Sequence, residues 1–291
     1  WDIHDVIASH FEACKSLRSC RVQNGKVRGS FFEAMSKLDV RFLDVSFSGV
    51  NDIHLASCAL PHLISLSLDG CEVTDKSAEV ITRMQTLLHL SLADTHLTPA
   101  GLVKLSKSPF CRTLESLNVF YTPAVDQDPS ALSRFIGLRE LNADGRQGGD
   151  RLLPYLKGMV RLQKLDIFGV RTIDSSLASL HTMRGLQWIE VCGGYLSDKG
   201  VDIMANQFPN LKHLNISQNG RITSAGLAPL CVLRLESLHV NQTKVDFHAV
   251  PLLSKMLQLR FFTAKGTNLR WNQCELMRNK LKRLEVLAVD A

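Results

Sequence analysis

Residues 87–102 read Leu87-Leu88-His89-Leu90-Ser91-Leu92-Ala93-Asp94-Thr95-His96-Leu97-Thr98-Pro99-Ala100-Gly101-Leu102, and this stretch decides the fold. Apolar residues stand at its first, fourth, sixth and eleventh places, with His89 and Ser91 between them. Alternation around the fourth and sixth places makes a short strand with one buried face. The ninth place, Thr95, turns the chain, and a polar side chain there can bond backbone groups that the strand leaves unpaired. Thr98 then supplies a preferred helix start.

The same pattern recurs from openings at Leu17, Val40, Leu63, Leu87, Leu114, Leu138, Leu162, Leu186, Leu211, Leu235, Leu259 and Leu284, in steps of 23 to 27 residues. Leu211-x-x-Leu214-x-Ile216-x-x-Asn219, closed by Ile222-Thr223-Ser224-Ala225-Gly226-Leu227, is a second clear copy. Thr74-Asp75, Asp174-Ser175 and Ser197-Asp198 mark further helix starts, and Ala78, Ile81 and Met84 keep a helical period. One strand and one helix cannot bury their apolar sides alone. Stacked copies can, with a curved parallel sheet inside and helices outside.

These residues resemble the leucine-rich repeats of the ribonuclease-inhibitor-like and cysteine-containing subclasses. The resemblance covers about residues 15–291 and implies an α/β solenoid (horseshoe) of twelve repeats, with the sheet on the concave face and helices on the convex face. The ninth places hold Gly25, Ser48, Cys71, Thr95, Thr122, Arg146, Val170, Gly194, Asn219, Thr243 and Thr267, so the family's asparagine ladder is absent. The Thr-x-Leu-Thr-x-x-Gly-Leu form is similar to repeats of F-box-type substrate receptors and of protozoan leucine-rich-repeat proteins. A single domain over 1–291 is expected, with 1–16 as a partial repeat helix (Ile3, Val6, Ile7, Phe11 and Cys14 on one face) and 284–291 as a truncated last repeat. Both ends are expected to be covered by further repeats or by partners. The sixth repeat departs from the pattern: Gly148 replaces the closing apolar residue, and Pro123, Pro129, Gly145 and Gly149 crowd around it. This reads as a loop irregularity or as a bend.

The chain has 291 residues, 45% hydrophobic and 21% charged, with net charge +6. An array of this length needs no single large core, because each unit packs on its neighbours. No apolar run is long enough for a membrane span. The eight cysteines, at 14, 20, 58, 71, 111, 192, 231 and 274, form no CxxC pair. They read as reduced core thiols of a cytoplasmic protein, or of a nuclear or organellar one if a targeting segment precedes Trp1. The sequons at Asn215 and Asn241 fall in predicted strands and read as chance matches.

The third, fifth, seventh and eighth places are expected to face the concave side. From the second repeat to the ninth they hold Asp44, Asp69, Asp94, Glu140, Asp144, Asp166 and Glu190, one lysine (Lys164) and no arginine, beside Phe42, Phe47, Phe120, Tyr121, Phe168 and Trp188. Carboxylates among aromatic rings suit a protein partner with a basic or apolar segment and repel phosphate. The candidate site is therefore Phe47, Asp69, Asp94, Phe120, Tyr121, Asp144, Asp166, Phe168, Trp188 and Glu190. Nucleic acid is expected only at an outer or terminal basic surface such as Arg278, Lys280, Lys282 and Arg283. No cofactor or metal is expected: His54, Cys58 and His62 lack the spacing of a zinc helix, and His89, His213 and His239 lie in separated repeats. Cys192 is expected on the concave side near Glu190 and His213, where carboxylates would raise its pKa rather than activate it. The sequence thus describes a non-enzymatic interaction scaffold. The alternatives are a ubiquitin-ligase substrate-recognition subunit, and a structural subunit of a large ribonucleoprotein or cytoskeletal assembly.

Overall fold

A computed structural model describes residues 10, 11, 13–27, 29–126, 128–143, 151–169 and 171–291. The chain divides into two compact units, Trp1–Asp144 and Gly145–Ala291. In the first unit, strands β1 (Ser19–Arg21), β2 (Phe42–Asp44), β3 (Ser65–Ser67), β4 (His89–Ser91), β5 (Ser116–Asn118) and β6 (Glu140–Asn142) pair in parallel, each with the next. In the second, β7 (Lys164–Asp166), β8 (Trp188–Glu190), β9 (His213–Asn215), β10 (Ser237–His239), β11 (Phe261–Ala264) and β12 (Val286–Val289) do the same. Each strand begins two residues after a repeat opening, and partners are equivalent places of successive repeats: Phe42 faces Ser65, which faces His89. Each unit is a leucine-rich-repeat stack of the kind the sequence describes. The core of each is its column of fourth- and sixth-place residues: Leu66, Leu68, Leu90 and Leu92 are buried in the first, Leu214 and Ile216 in the second.

The outer segments differ from expectation. Among the described residues seven are α-helical: α1 (Gly29–Ser36), α2 (Asp52–Leu55), α3 (Asp75–Ile81), α4 (Pro99–Leu105), α5 (Asp198–Gln207), α6 (Val250–Leu253) and α7 (Glu275–Lys280). Elsewhere the chain takes 3-10 turns, including Pro123–Val125, Pro129–Arg134, Asp174–Leu180 and Ala225–Val232. The tighter 3-10 turn suits short pieces, and Pro229 inside Ala225–Val232 removes an amide donor that a continuous α-helix would use. The irregular stretch around Gly145, Arg146, Gly148 and Gly149, and the apolar face Ile3, Val6 and Ile7, lie outside the described residues.

The helix starts are joined across repeats. Asn51, Thr74, Thr98 and Ser197 each accept an amide hydrogen bond at the N-cap. The following repeat's Thr or Ser also donates back to an Asp: Thr74 to Asp52 (2.7 Å), Thr98 to Asp75 (2.5 Å), Ser197 to Asp174 (2.6 Å) and Thr223 to Asp198 (2.6 Å). Glycines make room for these carboxylates. A Cβ at Gly101 would stand 2.2 Å from Asp75 Oδ1, and one at Gly226 2.2 Å from Asp198 Oδ1. Gly226→Ala is expected to lower unfolding free energy by about 1–3 kcal/mol in urea titration. The loss should shrink when Asp198 is also Ala, giving a non-zero coupling in a double-mutant cycle.

Two aspartates are held below the usual carboxylate range: Asp52, and Asp246, which takes its hydroxyl from the preceding repeat. Burial opposes ionisation of Asp52, yet the hydroxyls of Ser77 and Thr74 and their amides outweigh it. At Asp246 the Ser224 hydroxyl is the main cause. A depressed folded pKa gives stability that is fully present above the unfolded value of about 3.9 and is lost as pH falls through the folded pKa. Asp52→Asn should therefore flatten the dependence of stability on pH below about 4, read from chemical denaturation at a series of pH values. An unchanged slope would contradict the assignment.

Candidate functional site

Parallel pairing satisfies alternate backbone groups beyond each strand, and the remainder fall to side chains. The sixth-place amide donates to the next repeat's fifth-place carbonyl, as Val45 does to Ser67 (3.1 Å) and Ile216 to His239 (3.0 Å). The eighth-place amide donates to the next seventh-place carbonyl, as Phe47 does to Asp69 (2.7 Å) and Gln218 to Asn241 (2.7 Å). The sixth-place carbonyl then takes a ninth-place side chain: Thr95 to Leu92, Thr122 to Val119 and Thr243 to Val240, each at 2.7 Å, and Ser48 to Val45. Asn219 alone reaches the carbonyls of Val191, Ile216 and Ser217. This is the role expected of the ninth place.

The seventh-place amide is served from the fifth place of its own repeat or the seventh place of the previous one. Asp44 accepts from Ser46, Asn118 from Phe120, Asp166 from Phe168 and Asn215 from Ser217, all at 3.1–3.2 Å. Asp69 accepts from the Ala93 amide (2.9 Å) and the Ser91 hydroxyl (2.5 Å). Several carboxylates of the expected acidic surface are therefore turned inward to the backbone. Asp44 also pairs with Arg21 (3.2 Å) and accepts from Gln23 (2.7 Å).

In the first unit, Phe47, Asp69, Asp94, Phe120 and Tyr121 lie along the edge that follows the C-terminal ends of β2 to β5. Phe47, Asp94 and Tyr121 are exposed, while Asp69 and Phe120 are half-buried. Phe120 and Tyr121 meet edge to face, with centroids 4.3 Å apart. Phe42 and Glu140 are exposed on the strands themselves. Asp144 lies outside the described residues.

In the second unit, Lys164, Trp188 and His213 form one column on β7, β8 and β9. The Lys164 ammonium sits 5.1 Å from the Trp188 ring centre, and the Trp188 and His213 rings stack at 4.4 Å. Trp188 donates to Glu190 (3.2 Å), which also accepts from Asn215 (3.2 Å). Asp166, Phe168, Trp188 and Glu190 are all half-buried. The sequence reading did not find the Lys164–Trp188–His213 stack; equal third-place positions in successive repeats were its available signal.

Several expectations need correction. Seventh-place residues do not all face the open side: Ser46, Cys192 and Ser217 are buried. Cys192 is thus no concave thiol; burial first, then Glu190 and Asp166, push its pKa up to about 12. His213 and His239 lie in adjacent repeats rather than separated ones, but at third and fifth places. His239 is held between the Ser237 (2.7 Å) and Thr263 (2.8 Å) hydroxyls, and burial lowers the pKa of both histidines. Asn241 lies just beyond β10 rather than within it. Cys58 is buried, with its thiol pushed up to about 12, and no group of His, Cys, Asp or Glu able to hold a metal occurs among the described residues.

Arg278, Lys280, Lys282 and Arg283 are exposed at and after α7. Arg278 lies 4.8 Å from the centre of the Trp271 ring, and Arg283 donates to Gln258 (2.5 Å). The hollow beside Lys282 and Arg283 also holds Glu236 and Glu285, so its charge is mixed.

A leucine-rich-repeat family model matches residues 59–81, 83–106 and 209–231. No curated protein matches this sequence. Among solved structures, Rad7 from the yeast Rad7–Elc1 complex is similar with a TM-score of 0.69 at 14% identity, over 97% of this chain and 81% of that one. An internalin (inlF) from Listeria monocytogenes is similar with a TM-score of 0.59 at 18% identity, over 97% of this chain and 88% of that one. At these identities the likeness is one of fold. No helix among the described residues is long and apolar enough to cross a membrane.

The thiols offer a direct check on the buried sites. Native protein at neutral pH should take up iodoacetamide at exposed Cys14, while Cys58 and Cys192 react only after unfolding. Peptide mapping of the labelled sites reads this, and fast native labelling of Cys192 would contradict its placement.

Proposed function

We propose that this leucine-rich-repeat protein is a non-enzymatic scaffold that binds a partner protein through the open faces of its sheets. The supporting observation is the exposure of Phe42, Phe47 and Tyr121 beside the carboxylates of Asp94 and Glu140, on a unit whose fourth- and sixth-place residues are buried. Aromatic side chains that project into solvent are what partner recognition uses most. With few cations nearby, the chemistry favours a basic or apolar protein segment over phosphate. The half-buried Phe168, Trp188 and Glu190 give the second unit a comparable surface. Asp69 and Asp166 belong to the same surfaces, mainly by fixing the backbone on which the rings stand. Unpaired thiols agree with a cytoplasmic setting.

The narrower reading, a ubiquitin-ligase substrate-recognition subunit, rests on the likeness of Thr95-to-Leu102 and similar stretches to F-box-type receptors. Rad7, similar in fold, was solved in complex with another protein, Elc1. A structural role in a ribonucleoprotein or cytoskeletal assembly would draw instead on Arg278, Lys280, Lys282 and Arg283.

Alanine at Phe120, Tyr121, Phe168 and Trp188 together should abolish recovery of the partner that co-purifies with the unaltered protein. Equal recovery by a variant of unchanged circular dichroism would reject these faces as the binding surface.

A further inference from the structure

The eighth place of the first five repeats and of the seventh to eleventh adopts left-handed backbone. Asn24, Asp94, Gln218 and Gln242 do so with φ between 53° and 62°, and Gly70, Gly169, Gly193 and Gly266 with φ between 62° and 74°. Glycine has this freedom, and Asn and Asp tolerate it, but a bulky side chain there is a true outlier. Phe47 and Tyr121 are such outliers, each with φ 55°. Both rings stay about half in solvent, at 53% and 51% exposed, although Tyr121 meets Phe120 edge to face. Residue 70 gives way to the first of them: a Cβ on Gly70 would stand 2.1 Å from Phe47 Cδ1, so the Phe47 ring lies across the next repeat's glycine.

The register of β2 to β5 makes Phe47, Gly70, Asp94 and Tyr121 consecutive along one rim. At about 4.8 Å per strand, the two rings are about 14 Å apart, with Asp94 between them. The Asp94 carboxylate has no hydrogen bond or ion pair among the described residues, and it is exposed. Asp69 and Glu72 border the same rim, and no Lys or Arg occupies a seventh, eighth or tenth place of these four repeats. Strain held at exposed side chains points to use by a ligand rather than to stability.

We propose that Phe47, Asp94 and Tyr121 form a docking rim for an extended segment of a partner protein, with a Lys or Arg facing Asp94 and an apolar side chain against each ring. At about 3.3 Å per residue the rim spans about four residues of such a segment. This rests on the protein-binding reading above and specifies its partner chemistry.

The test pairs stability with binding on the full chain. The probe is a set of fluorescent heptapeptides carrying Arg, Gln or Glu at the centre and Leu or Gly on either side. The unaltered protein should prefer the Leu-flanked Arg peptide. Phe47→Asn and Tyr121→Asn should each weaken that binding at least about tenfold while raising Tm by roughly 2–4 °C, since the backbone strain is relieved. Asp94→Lys should turn the preference from the Arg peptide to the Glu peptide. A lowered Tm in both Asn variants would assign the rings a structural role and overturn the proposal. So would equal binding by all variants, no binding of the Arg peptide, or a preference of the unaltered protein for the Glu peptide. If a co-purifying partner is lost on Trp188→Ala but kept by the rim variants, the scaffold reading stands and the rim proposal fails.

Discussion

The structure depends on how each repeat disposes of two backbone groups just past its strand. Parallel pairing serves the amides of the sixth and eighth places, leaving the sixth carbonyl and the seventh amide without a sheet partner. A buried backbone group left unpaired costs about 1–3 kcal/mol. Thr95, Thr122, Thr243 and Thr267 close onto the carbonyl, and Asp44, Asn118, Asp166 and Asn215 onto the amide. With both satisfied, the chain can turn away from the sheet at a left-handed eighth residue. The identical turn lets the next copy stack in register.

Much of this was legible in residues. The spacing of Leu63, Leu66 and Leu68, repeated from Leu87 to Leu238, specifies the strand, its buried face and the stacking of copies. The polar ninth place was readable because a turn after a strand must leave backbone groups to be bonded. The outer layer was less legible: a start such as Asp174-Ser175 looks the same whether an α-helix or a 3-10 turn follows, and packing decides which.

The candidate site was harder to read for a physical reason. An Asp at a fifth or seventh place has the same composition whether it meets solvent or the backbone, and only geometry separates Asp44 and Asp69 from Asp94. Likewise Gly101 and Gly226 look like helix residues of low propensity until the carboxylate 26 or 28 residues earlier is seen beside them. The recurrence of Thr or Ser followed by Gly three residues later was the signal. The expectation of an acidic, aromatic inner surface is thereby narrowed: some acids build the face, while Asp94 and Glu140 stay exposed on it.

A face whose backbone groups are bonded in this way would present its exposed side chains to the proposed partner already ordered. The most direct measurement is on Thr243→Val, which keeps the side-chain shape and removes only the bond to the Val240 carbonyl. Unfolding free energy should fall by about 1–3 kcal/mol, with faster amide hydrogen exchange in the strands on either side of the turn. Equal stability and unchanged exchange in the Val variant would contradict the dependence of the stacked repeats on these backbone bonds.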